Sequence, residues 1–310
     1  MTIPKTEGLV AAPFTPFRAN GELDLARIDA YPEFLASQGV IGGFVCGTTG
    51  EGPSLTLDER RKVAERWMAA APRDFRVIVN VGSTCLADCR SLADHAESIG
   101  AGGIACLAPY FFHAQGVPGL VNWCHQVAAA APTTPFFYYH FPAITHFTIR
   151  ASDFLEAAAD RIPTLAGVKF TNEAFDDLSA CLACRDGRFD VMFGRDEKLL
   201  AGLEAGAVGA VGSTYNFAAP LYQRLIAAWR RGDLQTARAT QTTATRLIEA
   251  VVASGVCPLG GFKWVMGRMG FDCGPVRPPL WQPTPGQLDL VEAAVAEAGL
   301  MPHAVGPVPA

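Results

Sequence analysis

Apolar positions along the chain follow two rhythms that take turns. Short, mostly apolar runs bounded by Gly, Pro or polar residues read as strands buried on both faces. They are "VAAPFT" from 10, "GGFVCG" from 42, "RVIVNVG" from 76, "GGIACLAP" from 102, "PFFYYHF" from 135, "LAGVKFT" from 165, "FDVMFG" from 189 and "AVGAVGS" from 207. Between them apolar residues recur every three to four positions, as in "LDLARIDAYPEFLASQ", "TLDERRKVAERWMAAA" and "CLADCRSLADHAESIG". That is the spacing of a helix with one buried stripe. Thr56, Thr84 and Ser152 stand where N-caps are expected, and acidic residues follow in the first turns.

Strands that alternate with helices pair in parallel. Eight such units between roughly residues 8 and 230, about 28 residues each, predict a closed (β/α)8 TIM barrel, an α/β fold. The competing doubly wound sheet would show GxGxxG after the first strand, where this chain has "VAAPFTPFRANG". Beyond Gly232 the strand rhythm stops. "DLQTARATQTTATRLIEAVVAS", "PLGGFKWVMGRMG" and "PGQLDLVEAAVAEAGL" predict three helices, the last two joined by the proline-rich "CGPVRPPLWQPTP". The expected organisation is a barrel over 1–231, a C-terminal helical region over 232–300 and a mobile tail over 301–310.

Composition narrows the function classes. Of the 310 residues 50% are hydrophobic and 18% charged. That is enough apolar material for a large core. A net charge of −5 offers no basic footprint for nucleic acid or an anionic membrane. No apolar run reaches the roughly 18 residues of a membrane span, and the N-terminus has no signal-peptide pattern, so a cytoplasmic protein with a small-molecule substrate is expected. The nine cysteines are scattered through the apolar pattern, as buried reduced thiols would be. Cys181 and Cys184 form a lone CxxC within a helical pattern, without a second pair or a redox context. The six histidines show no ligand spacing, so no metal is expected.

In a barrel of this kind chemistry sits at the C-terminal ends of the strands. The second strand runs into "GTTGEG", where Gly47, Gly50 and Gly52 permit a tight turn with free N–H groups and Thr48 and Thr49 add hydroxyls. That suits a small carboxylate, and equally an ordinary capped turn. The fifth strand carries Tyr138 and Tyr139 on opposite faces, and the alternation alone does not say which faces inward. In the sixth, alternation puts Leu165, Gly167, Lys169 and Thr171 on one face and Ala166, Val168 and Phe170 on the other. Lys169, one of only five lysines, then points into the barrel. A desolvated amine loses its proton more easily and can attack a ketone to form an imine. A buried Lys–carboxylate pair would fit the same pattern. Asp196 and Glu197 end the seventh strand, where they serve a polyhydroxylated ligand or a helix N-terminus, and Ser213 and Thr214 end the eighth.

"GTTGE", "FYYHFPAIT", "GVKFT", "FGRDE" and "GSTYN", in this order and spacing, resemble the N-acetylneuraminate lyase / dihydrodipicolinate synthase superfamily of class I aldolases. The resemblance spans about residues 8–295, and "PFFYYHFPAIT" and "AGAVGAVGSTYN" are most similar to its animal N-acetylneuraminate lyase branch. It implies that Lys169 forms a Schiff base with the keto carbon and that Tyr139 shuttles protons. Thr48 and Thr49 would hold the pyruvate carboxylate, and Thr171, Gly194, Asp196, Glu197 and Ser213 would meet the sugar chain. The protonated imine would be the electron sink, with no metal or cofactor, in a homotetramer. The implied activity is cleavage of N-acetylneuraminate to pyruvate and N-acetylmannosamine. Another 2-keto-3-deoxy sugar acid is the alternative, as aldolase or dehydratase. Three departures stand out. Ile144 occupies the place of the arginine that dihydrodipicolinate synthases carry, which argues against that activity. Phe111 occupies the place of the neighbouring subunit's relay tyrosine, with Tyr110 one position early. His146 replaces the usual glycine after "PAIT", at the edge of the expected pocket.

Overall fold

A computed structural model of the chain describes residues 4–300; the tail expected over 301–310 lies outside the described residues. Eight parallel strands close into a barrel in chain order, with the last paired to the first. They are β1 (Gly8–Ala11), β2 (Val40–Val45), β3 (Arg76–Asn80), β4 (Gly103–Leu107), β5 (Phe136–His140), β6 (Leu165–Phe170), β7 (Asp190–Phe193) and β8 (Gly209–Gly212). Each lies on its predicted run, β1 a little N-terminal to it. The fold is a TIM barrel. Its interior is filled by Val10, Phe44, Ile78, Ala105, Phe137, Tyr139, Ala166, Met192 and Val211, and a second, larger core lies between strands and helices. After β8 and its helix Tyr215–Arg230 come only helices, Leu234–Ala253, Pro258–Arg268 and Pro285–Glu297. The first of these packs along Tyr215–Arg230, so the C-terminal region is fused to the barrel wall.

Local chemistry explains most element ends, and the exceptions have causes. Thr56 caps Leu57–Ala70 in a reciprocal box. Its hydroxyl accepts from the Glu59 N–H at 3.2 Å, and the Glu59 carboxylate accepts from the Thr56 N–H at 2.9 Å. Thr84 does not cap its helix; Cys85 stands at the N-cap of Leu86–Ser98 and makes no side-chain bond there. Ser152 lies inside Ala151–Ala158. The free N–H groups that open this helix need partners. Those of Ala151 and Ser152 donate to Asp177 of the next helix, at 2.7 and 3.1 Å. "LDLARIDAYPEFLASQ" does not form one helix. Pro32, which lacks an N–H, sits in the first turn of Tyr31–Ser37, behind a separate 3-10 turn at Leu25–Ile28.

Candidate active site

The alternation read for β6 holds from Val168 onward and fails before it. The pairing with β5 slips between Phe136 and Phe137, so Phe136 faces Leu165 while Phe137 faces Gly167. Ala166 therefore joins the interior cluster and Leu165 the outer core. Gly167 packs directly against the backbone of β7. A Cβ there would lie 1.8 Å from the Asp190 carbonyl oxygen. The close approach of β7 therefore requires glycine.

Past that slip, Lys169 enters the barrel beside Tyr139, its partner in register. The lysine is buried, at 4% exposure, under two aromatic rings. Nζ lies 3.9 Å from the Phe44 centroid and 4.2 Å from that of Tyr139. Among the described residues Lys169 forms no ion pair. The buried Lys–carboxylate pair that the sequence left open is formed instead by Lys263 and Glu51. Burial pushes the Lys169 amine down to about 7, with the Asp196 charge pulling the other way. The uncharged nucleophile is thus accessible near neutrality.

Tyr139 faces inward and Tyr138 joins the helix-side core, which settles what alternation alone left undecided. The Tyr139 and Thr48 hydroxyls share a hydrogen bond of 3.3 Å. Burial pushes the phenol up to about 12 and the hydroxyls of Thr48 and Thr171 lower it, so Tyr139 holds its proton at neutral pH. Thr49, just after β2, shares a 2.7 Å hydrogen bond with Ser213, just after β8. Thr48, Thr49, Tyr139, Lys169 and Ser213 therefore meet around the mouth of the barrel.

The remaining rim residues divide. The Thr171 hydroxyl is buried and, among the described residues, makes no hydrogen bond of good geometry, although it lies close enough to the Tyr139 phenol to lower it. It sits against Gly194, where a Cβ would come within 2.1 Å of it, so only glycine fits. Asp196 is buried, and Thr214 donates to its Oδ2 through N–H at 2.8 Å and through its hydroxyl at 2.6 Å. Burial pushes its carboxyl up to about 6 against those two bonds, the Glu197 charge adds to the rise, and the Lys169 charge opposes it. Glu197 is only partly buried, and Arg195 holds it at 2.7 Å while also pairing with Glu173 at 2.6 Å. The turn itself is gripped from the C-terminal region. Gln241 donates to the Asp196 carbonyl at 3.1 Å and Thr245 to the Glu197 carbonyl at 3.0 Å.

Two contributors went unnoticed in the sequence: Phe44 over the lysine and Arg195 beside Glu197. Thr214, read there as a rim hydroxyl after the eighth strand, holds Asp196 instead. Alternation along β2 separates Phe44 from Val45 without saying which is inside, and Arg195 depends on a contact between different strand ends. The departures from the family pattern lie on the rim. Phe111 and Phe112 are 74% and 84% exposed after β4, and Ile144 is 51% exposed after β5. His146 is exposed and left-handed, at φ 51°, a conformation that favours glycine. Among the described residues no group of three or more His, Cys, Asp or Glu side chains is placed to hold a metal.

A model of the Dihydrodipicolinate synthetase family matches residues 5–298. The chain belongs to that family. Among curated relatives, mouse (Mus musculus) N-acetylneuraminate lyase is 42% identical over 284 residues, 90% of this chain and 88% of that protein. The human (Homo sapiens) N-acetylneuraminate lyase is 41% identical over 293 residues, 93% of this chain and 91% of that one. Among solved structures, Proteus mirabilis N-acetylneuraminate lyase superimposes with a TM-score of 0.92 at 38% identity, covering 96% of this chain and all 100% of that one. The sialic acid aldolase of Aliivibrio salmonicida gives 0.93 at 36% identity, over 97% and 99%. Family membership and these relatives indicate a class I aldolase lyase.

Proposed function

We propose that this family member is a Schiff-base retro-aldol lyase that cleaves N-acetylneuraminate to pyruvate and N-acetylmannosamine. The observation that carries the reading is a buried Lys169 amine, outside any ion pair among the described residues, lying against Tyr139. The similarity to N-acetylneuraminate lyases over nine-tenths of the chain supports the substrate. In this reading Thr48 and Thr49 receive the keto-acid carboxylate on hydroxyl and N–H groups. Lys169 Nζ attacks C2, and Tyr139 passes a proton to the carbinolamine oxygen, which leaves as water. The protonated imine then accepts the electron pair of the C3–C4 bond as Tyr139 takes the C4 hydroxyl proton and the aldehyde departs. Protonation of the enamine at C3 and hydrolysis release pyruvate and restore the amine. Thr171, Gly194, Asp196, Glu197 and Ser213 line the path of the sugar chain. We assign the enzyme to the cytoplasm and to a homotetramer; the exposed Phe111, Phe112 and Ile144 support association at the rim. The test is a substrate panel of N-acetylneuraminate, 2-keto-3-deoxygluconate, and aspartate semialdehyde with pyruvate. Cleavage of the first with the highest kcat/KM is expected. Preference for the second transfers the assignment to the shorter sugar acids.

The pH dependence has a definite sign. Only the neutral amine attacks, so imine formation at low pyruvate falls about tenfold per pH unit below about 7 and levels off above it. The Asp196 charge raises the Lys169 value. Asp196→Asn, which keeps an oxygen for the Thr214 donors, is therefore expected to move this limb to lower pH. Cyanoborohydride trapping of pyruvate across the pH range measures it. A limb that stays put or moves upward would contradict the electrostatic coupling.

A further inference from the structure

Glu51 lies two residues beyond Thr49 and plays no part in the chemistry above. Its backbone is left-handed, at φ 53°. That conformation strains a residue with a side chain. Its carboxylate is buried against Lys263 of the C-terminal helix Pro258–Arg268, Nζ to Oε1 2.7 Å. Among the described residues this is the one ion pair with both side chains fully buried. Desolvating two charges is costly and is offset only when their hydrogen-bonding capacity is well used. Here the ammonium meets Glu51 Oε1 as an ion pair, without the angle of a hydrogen bond, and directs its donors to two backbone carbonyls. Beyond Glu51 it donates to the carbonyls of Thr15 at 2.9 Å and Pro275 at 2.7 Å. The other Glu51 oxygen accepts from the Arg277 N–H at 2.8 Å. Burial draws the Lys263 amine down while Glu51 holds it up, so the pair stays mutually dependent.

The same few residues grip the rest of the segment between β2 and its helix. Thr15 donates its hydroxyl to the Gly50 carbonyl at 2.6 Å. The Arg277 guanidinium forks onto both Glu59 oxygens at 2.8 and 2.6 Å and reaches the Ser54 carbonyl at 3.1 Å. Such a two-pronged contact fixes geometry as well as charge. One side of the loop thus presents Thr48 and Thr49 to Tyr139 and Ser213, and the carboxylate at its next corner is anchored in the C-terminal region. We propose that Lys263 and Glu51 are positioning residues: through this pair the C-terminal helical region holds the Gly47–Gly52 loop in the conformation in which Thr48 and Thr49 receive the substrate carboxylate. The proposal rests on the lyase reading for the ligand, and on the buried pair itself for the loop.

Three variants test it: Lys263→Met, the double variant Glu51→Gln with Lys263→Met, and the nearly isosteric Thr15→Val. For each, reductive trapping of pyruvate on Lys169 gives a half-saturating concentration and a saturating rate, and hydrogen exchange follows the amides of 46–55. The pair variants are expected to raise half-saturation by about tenfold or more with the saturating rate changed by less than about threefold, and Thr15→Val by about threefold. Loop amides should exchange faster in all three. Half-saturation within about twofold of wild type in folded double variant and Thr15→Val, with only the saturating rate lowered, would overturn the proposal. So would unchanged loop exchange. If Lys263→Met does not fold, the double variant, which leaves no charge unpaired, and Thr15→Val decide. If wild type traps no pyruvate, the lyase reading fails, and loop exchange alone decides the positioning role.

Discussion

Lys169→Met is expected to abolish turnover and still give a folded barrel that unfolds at a higher temperature than wild type near neutral pH. Without the amine no imine forms, and nothing else placed in the site offers a second electron sink. Borohydride reduction with pyruvate, followed by peptide mass mapping, should put one adduct on Lys169 in wild type and none in the variant. A label on Lys198 or Lys263 would sink the mechanism. The stability half of the expectation follows from linkage. The folded amine titrates near 7, against 10.5 for an unperturbed lysine, so below about 10 the unfolded chain binds the extra proton and is favoured. That cost to the fold grows as pH falls toward 7 and is constant below. At about 1.4 kcal/mol per pH unit it amounts to roughly 3–5 kcal/mol at full extent. Methionine carries no such cost and fills a similar volume between Phe44 and Tyr139. Melting of the variant at pH 7 and near pH 10 checks this; the gain should shrink at the higher pH. An unchanged or lower midpoint at pH 7 would mean that Lys169 is not held in a desolvated place.

The second large effect is expected from Tyr139→Phe. The ring keeps its packing, edge-on to Phe44 at 5.2 Å between centroids and stacked on Phe141 at 5.8 Å. Only the hydroxyl is lost, together with its bond to Thr48. A positioned proton carrier contributes about 10²- to 10⁴-fold, and here it serves two steps, so kcat should fall by at least the upper part of that range. The phenol titrates near 12, which keeps it protonated for the carbinolamine step, and the developing alkoxide chemistry then draws on it as base. Imine formation should slow yet remain detectable on Lys169, because the amine is untouched. Single-turnover measurement separates the steps. A kcat within tenfold of wild type would assign the proton transfers to another group or to water.

Much of the site was legible in the chain because its logic is local. A lysine alternating with apolar residues in a short strand, glycines and threonines after β2, acids after β7 and a hydroxyl after β8 are each read from a few neighbours. What escaped notice depends on partners brought in from elsewhere. Asp177 caps a helix that Ser152 was expected to cap. Arg195 reaches back to Glu173 across two strand ends. The slip between β5 and β6 exchanged Leu165 and Ala166 between faces, since a shift of one residue inverts a strand's facing.

By itself the sequence determined the order and kind of the elements, the closed count of eight and the dryness around position 169. Periodicity, caps and turn residues act over a few positions, and burial of a two-sided strand leaves an unbroken apolar run. Only the tertiary structure decided which tyrosine meets the lysine, since that rests on the register of β5 against β6. It alone decided that, among the described residues, Lys169 forms no ion pair while Lys263 has one. Two lysines alike in apolar surroundings differ only in what lies across space, and Glu51 is bound by groups as far as 226 residues along the chain. Charge pairing in a dry interior falls off with distance in three dimensions, a quantity that spacing along the chain does not carry.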